Sequence, residues 1–367
     1  MLPYYSVAYG NASSIHSFGR KARQALEESR ERIAQFIGAK YDELFFTSGG
    51  TESDNYAVFG IARALRGSGK SKLVTSAIEH HAILDSGESL RAEGSTVTLI
   101  GVDKDGLIDP YDVKRAMSND VLLVSVAHAN NEVGTIEPLK EIASICKEYG
   151  VVCHTDAVQS LGKIPVNVQD LGVDLLSISA HKIYGPKGIG AIFIRKGTKI
   201  ESLMKGGPQE SNRRAGTENV PLAVGFAKAV ELCTQQMDND RERILRLRNI
   251  LRGRIEKQFD AVLFNGHPTQ SLPHILNISF DSSKRNVDGE ALIIGLDLQG
   301  IAVTSGSACT SGSLQPSHVL LAMGRDESTA RATIRFSLGR STTEEEINYT
   351  ADALKVVVER ASHAQKQ

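Results

Sequence analysis

The feature that most constrains this chain is a regular alternation between short apolar runs of strand character and amphipathic runs of helical period, with polar residues clustered just past the strands. Residues 43–47 read as a strand and feed Ser48-Gly49-Gly50-Thr51-Glu52, after which Asn55, Val58, Ile61 and Leu65 follow helical spacing. The same pattern continues with 72–77 as strand, 82–93 as helix and 95–100 as strand, and Asp109-Pro110 then opens another helix with a cap and a first-turn proline. Ahead of these, Ala22, Ala25, Leu26, Ile33, Phe36 and Ile37 mark an amphipathic helix over 17–38, with Ser17 as its expected N-cap and Gly38 as its stop. Alternation at this pace predicts an α/β fold with a mostly parallel sheet flanked by helices. In such sheets ligands sit past the carboxyl ends of the strands.

The residues at those ends are chemically specific. Glu79-His80-His81 follows the strand at 72–77, and His128-Ala129-Asn130-Asn131-Glu132 follows an apolar run at 121–126. Asp156 and Gln159 follow a strand at 151–155. His181 and Lys182 occupy a Gly/Pro-rich turn between apolar runs at 175–179 and 189–194. A lysine held at a strand end and partly desolvated loses some preference for the ammonium form, which suits it to a Schiff base with a carbonyl compound. An acid at one strand end and such a lysine at another is the arrangement pyridoxal phosphate requires: the acid keeps the ring nitrogen protonated, and the lysine holds the aldehyde and moves the Cα proton. Asp156 and Lys182 are the candidates, and Asp156 also suits a helix N-cap. His80 is placed to stack on the ring, and Asn131 and Gln159 to hold the phenolate oxygen or a substrate carboxylate. Gly50, Thr51, Ser179 and His181 are phosphate ligands by type, the first two at a Gly-rich turn opening a helix.

At 367 residues the chain exceeds the ~250–300 at which single cores stop growing, so two domains are expected. We place the larger at 10–231 and assign 1–9 and 232–367 to a smaller one. A polar loop at 206–219 precedes expected helices at 220–233 and 241–257. Beyond them, strands at 275–280, 301–304 and 333–337 and helices at 288–299 and 343–361 read as an α+β unit. Arg335, on the last of these strands, is a natural fork for a carboxylate.

Lys+Arg 42 against Asp+Glu 43 gives a formal charge of -1, which calls for neither nucleic acid nor an anionic membrane as partner. No run reaches the ~18 apolar residues of a membrane helix, and Met1-Leu2-Pro3-Tyr4-Tyr5 lacks the form of a signal peptide, so a cytoplasmic protein is expected. Cys146, Cys153, Cys233 and Cys309 form no C-x-x-C pair, so neither a disulfide framework nor a zinc site is expected. Three of them lie in apolar patterns. Cys309 lies instead in a loop of small residues at 305–316, where an exposed thiol is reactive.

These motifs together resemble the cysteine desulfurases of the nitrogen-fixation and iron–sulfur-cluster type, within the class V aminotransferases. The resemblance rests on Tyr9-Gly10-Asn11-Ala12-Ser13-Ser14-Ile15-His16, Thr47-Ser48-Gly49-Gly50-Thr51-Glu52-Ser53-Asp54-Asn55, Glu79-His80 and Asn130-Asn131-Glu132-Val133-Gly134. It continues through His154-Thr155-Asp156-Ala157-Val158-Gln159, Ser179-Ala180-His181-Lys182-Ile183-Tyr184-Gly185-Pro186-Lys187-Gly188, Arg214-Ala215-Gly216-Thr217 and Gly306-Ser307-Ala308-Cys309-Thr310-Ser311-Gly312. It implies the fold type I architecture of pyridoxal-phosphate enzymes and a homodimer in which Thr217 reaches the phosphate of the neighbouring subunit's cofactor. It also implies removal of sulfur from L-cysteine, giving L-alanine and a persulfide on Cys309, with Lys182, Cys309 and His80 in catalysis. The acceptor would be an iron–sulfur scaffold or a sulfur-relay protein. No resident metal is implied, although Cys309 could transiently ligate an iron–sulfur cluster. Selenocysteine lyase and aminotransferase reactions are alternatives on the same scaffold. Family members usually carry a further N-terminal stretch with Asp-Asn-x-Ala-Thr, so a shortened chain acting only as a scaffold is a third reading.

Overall fold

The structure, a computed structural model, describes residues 1–305 and 315–363. The chain forms two compact units. The larger comprises Met1–Ile100, Pro110–His128 and Glu137–Met237; the smaller comprises Gly101–Asp109, Ala129–Ile136 and the described part of Asp238–Gln367.

Seven strands build the sheet of the larger unit: β1 (Leu44–Thr47), β2 (Lys72–Ser76), β3 (Thr96–Ile100), β4 (Val121–Ser125), β5 (Val152–Asp156), β6 (Leu175–Ser179) and β7 (Gly190–Ile194). Their order is β1-β7-β6-β5-β4-β2-β3. The run from β3 to β6 is parallel, whereas β7 is antiparallel to both β6 and β1. Two reversals leave β1 pointing the same way as β6, so the Gly-rich turn after Thr47 emerges at the edge where β5 and β6 end. Strands β1, β4, β6 and β7 are buried along their whole length. Strands covered on both faces read as near-continuous apolar runs, broken here by Thr47, Ser125, Ser177 and Ser179.

Local chemistry explains where the N-terminal expectations shift. The first long helix, Ser17–Phe36, is capped by His16, whose Nδ1 accepts from the Gly19 N–H at 3.2 Å, and not by Ser17. Gly38 ends it in the left-handed region, φ +69°. Residues 1–9 group with the larger unit because Met1 packs over Gly225, where a β-carbon would lie 2.6 Å from the methionine sulfur.

In the smaller unit β8 (Val262–Asn265), β9 (Ile275–Phe280) and β10 (Thr333–Ser337) form an antiparallel sheet in the order β10-β9-β8. Ile278, Phe280 and Ile334 pack with Leu292 from the helix Gly289–Asp297 and with Val358 from the helix Glu344–His363. The strands at 275–280 and 333–337 fall where expected, whereas 301–304 contributes only a single bridge, Thr304 to Arg335. The two helices expected at 220–233 and 241–257 are one, Val220–Gln258. Nothing between Thr234 and Asp240 is glycine or proline, and extending a formed helix is cheaper than nucleating a second. The boundary between the units accordingly falls inside this helix, at Met237/Asp238 and not at 231/232.

Candidate active site

In the larger unit the carboxyl ends of β1, β5 and β6 converge. Register sets Thr47 opposite Gly190 and Gly190 opposite Ser179, while Asp156 lies opposite Ser177. Gly190 has to be glycine: a β-carbon there would come 2.5 Å from the Ile178 carbonyl and 2.8 Å from the Gly49 backbone. This close crossing brings the Gly49-Gly50 turn beside Ser179. Gly50 also packs on Val158, two residues past Asp156. The helix Gly50–Ala64 starts at Gly49 with no side-chain cap, so its first-turn N–H groups and positive dipole end are available to an anion. The Ser179 hydroxyl lies 2.9 Å from His181 Nδ1. Lys182 follows in the tight turn Ala180–Ile183, closed by Tyr184 at φ +65°.

Lys182 is exposed in this turn just past β6, where partial desolvation is expected from the sequence. Its charge still reaches Asp156 and His181. His80 caps the helix His81–Ala92, its Nδ1 accepting from Ala82 N–H at 3.0 Å. Gln159 is half-buried just past β5, and Thr51 is exposed in the first turn after Gly50. Thr217 is exposed in the loop that Arg214 ties to this turn through Glu52, with nitrogen–oxygen distances of 2.9 and 3.2 Å.

Near Asp156 lies a set of buried groups, Asp54, Glu79 and His154, to which the sequence reading gave no role. Burial pushes Asp156 up to about 6, against the pull of the Val158 N–H and the Lys182 charge. Burial and the Asp156 charge push Asp54 well above the usual carboxylate range, despite a hydrogen bond with Ser177. Glu79 is pushed up to about 8 by burial, although it accepts from the Ser76 hydroxyl at 2.5 Å and the Ala127 N–H at 3.0 Å. His154, between the Ser125 hydroxyl at 2.8 Å and the Ser177 hydroxyl at 3.0 Å, is held neutral by burial, its pKa falling to about 3. Asp156, at about 6, therefore gives up its proton before Glu79, at about 8. A half-buried carboxylate at a strand end suits a protonated aromatic nitrogen. The donor set therefore fits pyridoxal phosphate, with the glycine turn, Ser179 and His181 for the phosphate, Asp156 for the ring nitrogen and Lys182 for the aldehyde.

The acids make stability depend on pH. Glu79 binds its proton more tightly in the fold, at about 8, than at its ordinary value of 4.5. Its contribution is therefore complete below about 4.5 and lost as pH rises toward 8. Glu79→Gln removes that loss, so its melting temperature should gain steadily on the parent's from about pH 5 to about pH 8. A constant or narrowing difference in cofactor-free protein would count against the assignment.

In the smaller unit the two residues expected to bind substrate meet each other. Arg335 Nη1 donates to the Asn131 carbonyl at 2.8 Å, and among the described residues its Nε has no hydrogen-bond partner. Burial lowers the Arg335 pKa, and the Glu132 charge partly restores it. A guanidinium with one corner tied and the rest unspent is suited to a carboxylate. Cys309 lies outside the described residues.

The Aminotransferase class-V family matches residues 1–350. Cysteine desulfurase IscS of Dictyoglomus turgidum is 51% identical over 360 residues, covering 98% of this chain and 90% of that relative. Among solved structures, one described as a NifS-like protein superposes with a TM-score of 0.90 at 35% identity, covering 98% of this chain and 94% of that one. Another, SspA in complex with cysteine, gives a TM-score of 0.79 at 33% identity, covering 93% and 94%.

Proposed function

The chain belongs to the aminotransferase class-V family, and from that premise we infer that it is a pyridoxal-phosphate-dependent cysteine desulfurase on the fold type I scaffold. One observation carries the reading: adjacent parallel strands end on Asp156 and on the turn of Lys182, whose charge acts on that acid. The likeness to a protein named cysteine desulfurase, and to one solved with cysteine, supplies the substrate.

When bound, pyridoxal phosphate supplies an electron sink for the Cα of an amino acid. Lys182 Nζ provides the amine for its aldehyde and takes the Cα proton of L-cysteine. Asp156 would oppose the protonated ring nitrogen, and His80 would stack on the ring. The N–H groups of Gly50 and Thr51 bind the phosphate with Ser179 and His181. Asn131 and Gln159 hold the phenolate oxygen or the substrate carboxylate, and Arg335 forks that carboxylate. The Cys309 thiolate attacks the substrate sulfur: an S–S bond forms, the C–S bond breaks with its electron pair left on carbon, and protonation there gives L-alanine. The persulfide passes to an iron–sulfur scaffold or a sulfur-relay protein.

The active form is a cytoplasmic homodimer in which Thr217 reaches the neighbouring subunit's cofactor phosphate. Leu2, Val7, Tyr9, Ile15 and Phe18 are each exposed in the single chain, apolar side chains that a second copy would cover. Among the described residues no helix is long and apolar enough to cross a membrane.

The test is a visible spectrum of the protein with pyridoxal phosphate, before and after L-cysteine, with sulfide and alanine assayed together. Cofactor absorbance and both products are expected. Cys309→Ala should keep the absorbance and its change with L-cysteine while losing the persulfide entirely. Undiminished product formation in that variant would sink the desulfurase reading and favour another reaction of the family.

A further inference from the structure

Glu132 has no task in the chemistry above, yet its side chain is buried, with the residue only 3% exposed. Its Oε2 accepts from the Ser317 hydroxyl at 2.5 Å. Ser317 is 1% exposed and also caps the helix His318–Ala322, accepting from the Leu320 N–H at 3.3 Å. The backbone under Glu132 is held as firmly. The Asn130 side chain accepts from the N–H groups of Glu132 and Val133 at 2.8 and 2.9 Å, and Asn277 donates to the Glu132 carbonyl at 3.1 Å.

The neighbouring Asn131 carbonyl accepts from Arg335 Nη1. Arg335 in turn donates its backbone N–H to the Thr304 carbonyl at 2.6 Å. Thr304 precedes Cys309 by five residues, and Ser317 follows it by eight. Both ends of the thiol segment are thus tied to one cluster, Asn131-Glu132 with Arg335, which also offers the guanidinium fork. Burying an acidic side chain is costly, and a helix cap does not need one behind it, yet Glu132 is buried against Ser317. Glu132 also acts on Arg335, raising its pKa against the effect of burial.

We propose that Glu132 is a positioning residue for sulfur transfer, holding Ser317 so that the segment carrying Cys309 leaves the same cluster that binds the substrate carboxylate. The inference rests on the desulfurase reading and deepens it. It assigns Glu132 no contact with substrate or cofactor.

The experiment uses the full-length holoenzyme in a single turnover, trapping the Cys309 persulfide by alkylation and mass spectrometry. In parallel, the absorbance change with L-cysteine reports substrate binding. Glu132→Gln and Ser317→Ala should each slow persulfide formation on the order of tenfold, since small misplacements of a reacting group are costly, with the Kd for L-cysteine changed less than about twofold. Ser317→Thr, which keeps the hydroxyl, should restore the rate. A wild-type rate in Glu132→Gln with a slow Ser317→Ala would overturn the proposal, because Ser317 would then act only as a helix cap. A parallel loss of L-cysteine binding would also overturn it, since the effect would then lie in substrate capture. Failure of the desulfurase reading looks different: the parent forms no persulfide. Hydrogen exchange of the Leu320 amide, faster in Glu132→Gln than in the parent if the anchor exists and equal if it does not, still decides the proposal in that case.

Discussion

Lys182→Ala is expected to abolish the visible absorbance of bound cofactor and to lower alanine formation from L-cysteine by at least about 10³-fold, because one substitution removes both the amine and the proton carrier. The loss should be chemical and not structural. The side chain is exposed at the end of β6, so stability should stay within about 0.5 kcal/mol of the parent, as for most surface changes. Lys182→Arg should not restore turnover, since a guanidinium stays protonated and can serve neither as nucleophile nor as base. A Lys182→Ala protein that keeps even a tenth of the parent's rate would remove Lys182 from the mechanism.

The largest effect on stability is expected at Glu210. Its carboxylate accepts from Arg30 Nη1 at 2.6 Å, Arg30 Nη2 at 2.7 Å and the Phe46 N–H at 2.8 Å, with the two side chains only 8% and 3% exposed. Burial alone would lower the Arg30 pKa, but the bonds and charge of Glu210 reverse this and raise it. Phe46 lies on β1, an edge strand, so Glu210 also satisfies an N–H that the sheet leaves open. The pair holds down a strained segment: Glu210, Ser211 and Asn212 all have left-handed backbones, φ 48°, 55° and 63°, at roughly 1–3 kcal/mol each. Glu210→Ala should therefore cost about 3–5 kcal/mol in denaturant unfolding, since it strands a buried guanidinium. Removing both charges in Arg30→Met/Glu210→Gln should cost less than the two single losses added together. A Glu210→Ala loss below about 1 kcal/mol would mean that the left-handed run is held by something else.

What could be read without the fold was whatever depends on near neighbours in the chain. Apolar runs of strand length located β5, β6, β9 and β10, and the polar residues just past them named Asp156, Gln159, His181 and Lys182. The same reasoning failed where local signals are weak. β8 has only half-buried residues along most of its length, the join between the two expected helices carries no breaker, and His16 is an uncommon cap. Glu52, Asp54 and Glu132 stand inside recognised motifs, yet nothing in the sequence tells what they touch.

The sequence by itself determined the α/β class, the strand ends and the residue types of the candidate chemistry, because periodicity and turn chemistry act over a few residues. Tertiary structure alone decided that Arg30 meets Glu210 across 180 positions, that Glu132 meets Ser317 across 185, and that burial raises the pKa of Asp54 and Glu79. Contacts of that range depend on the path of the whole chain. The ionisation of a carboxyl depends on the dielectric and the charges that path gathers around it.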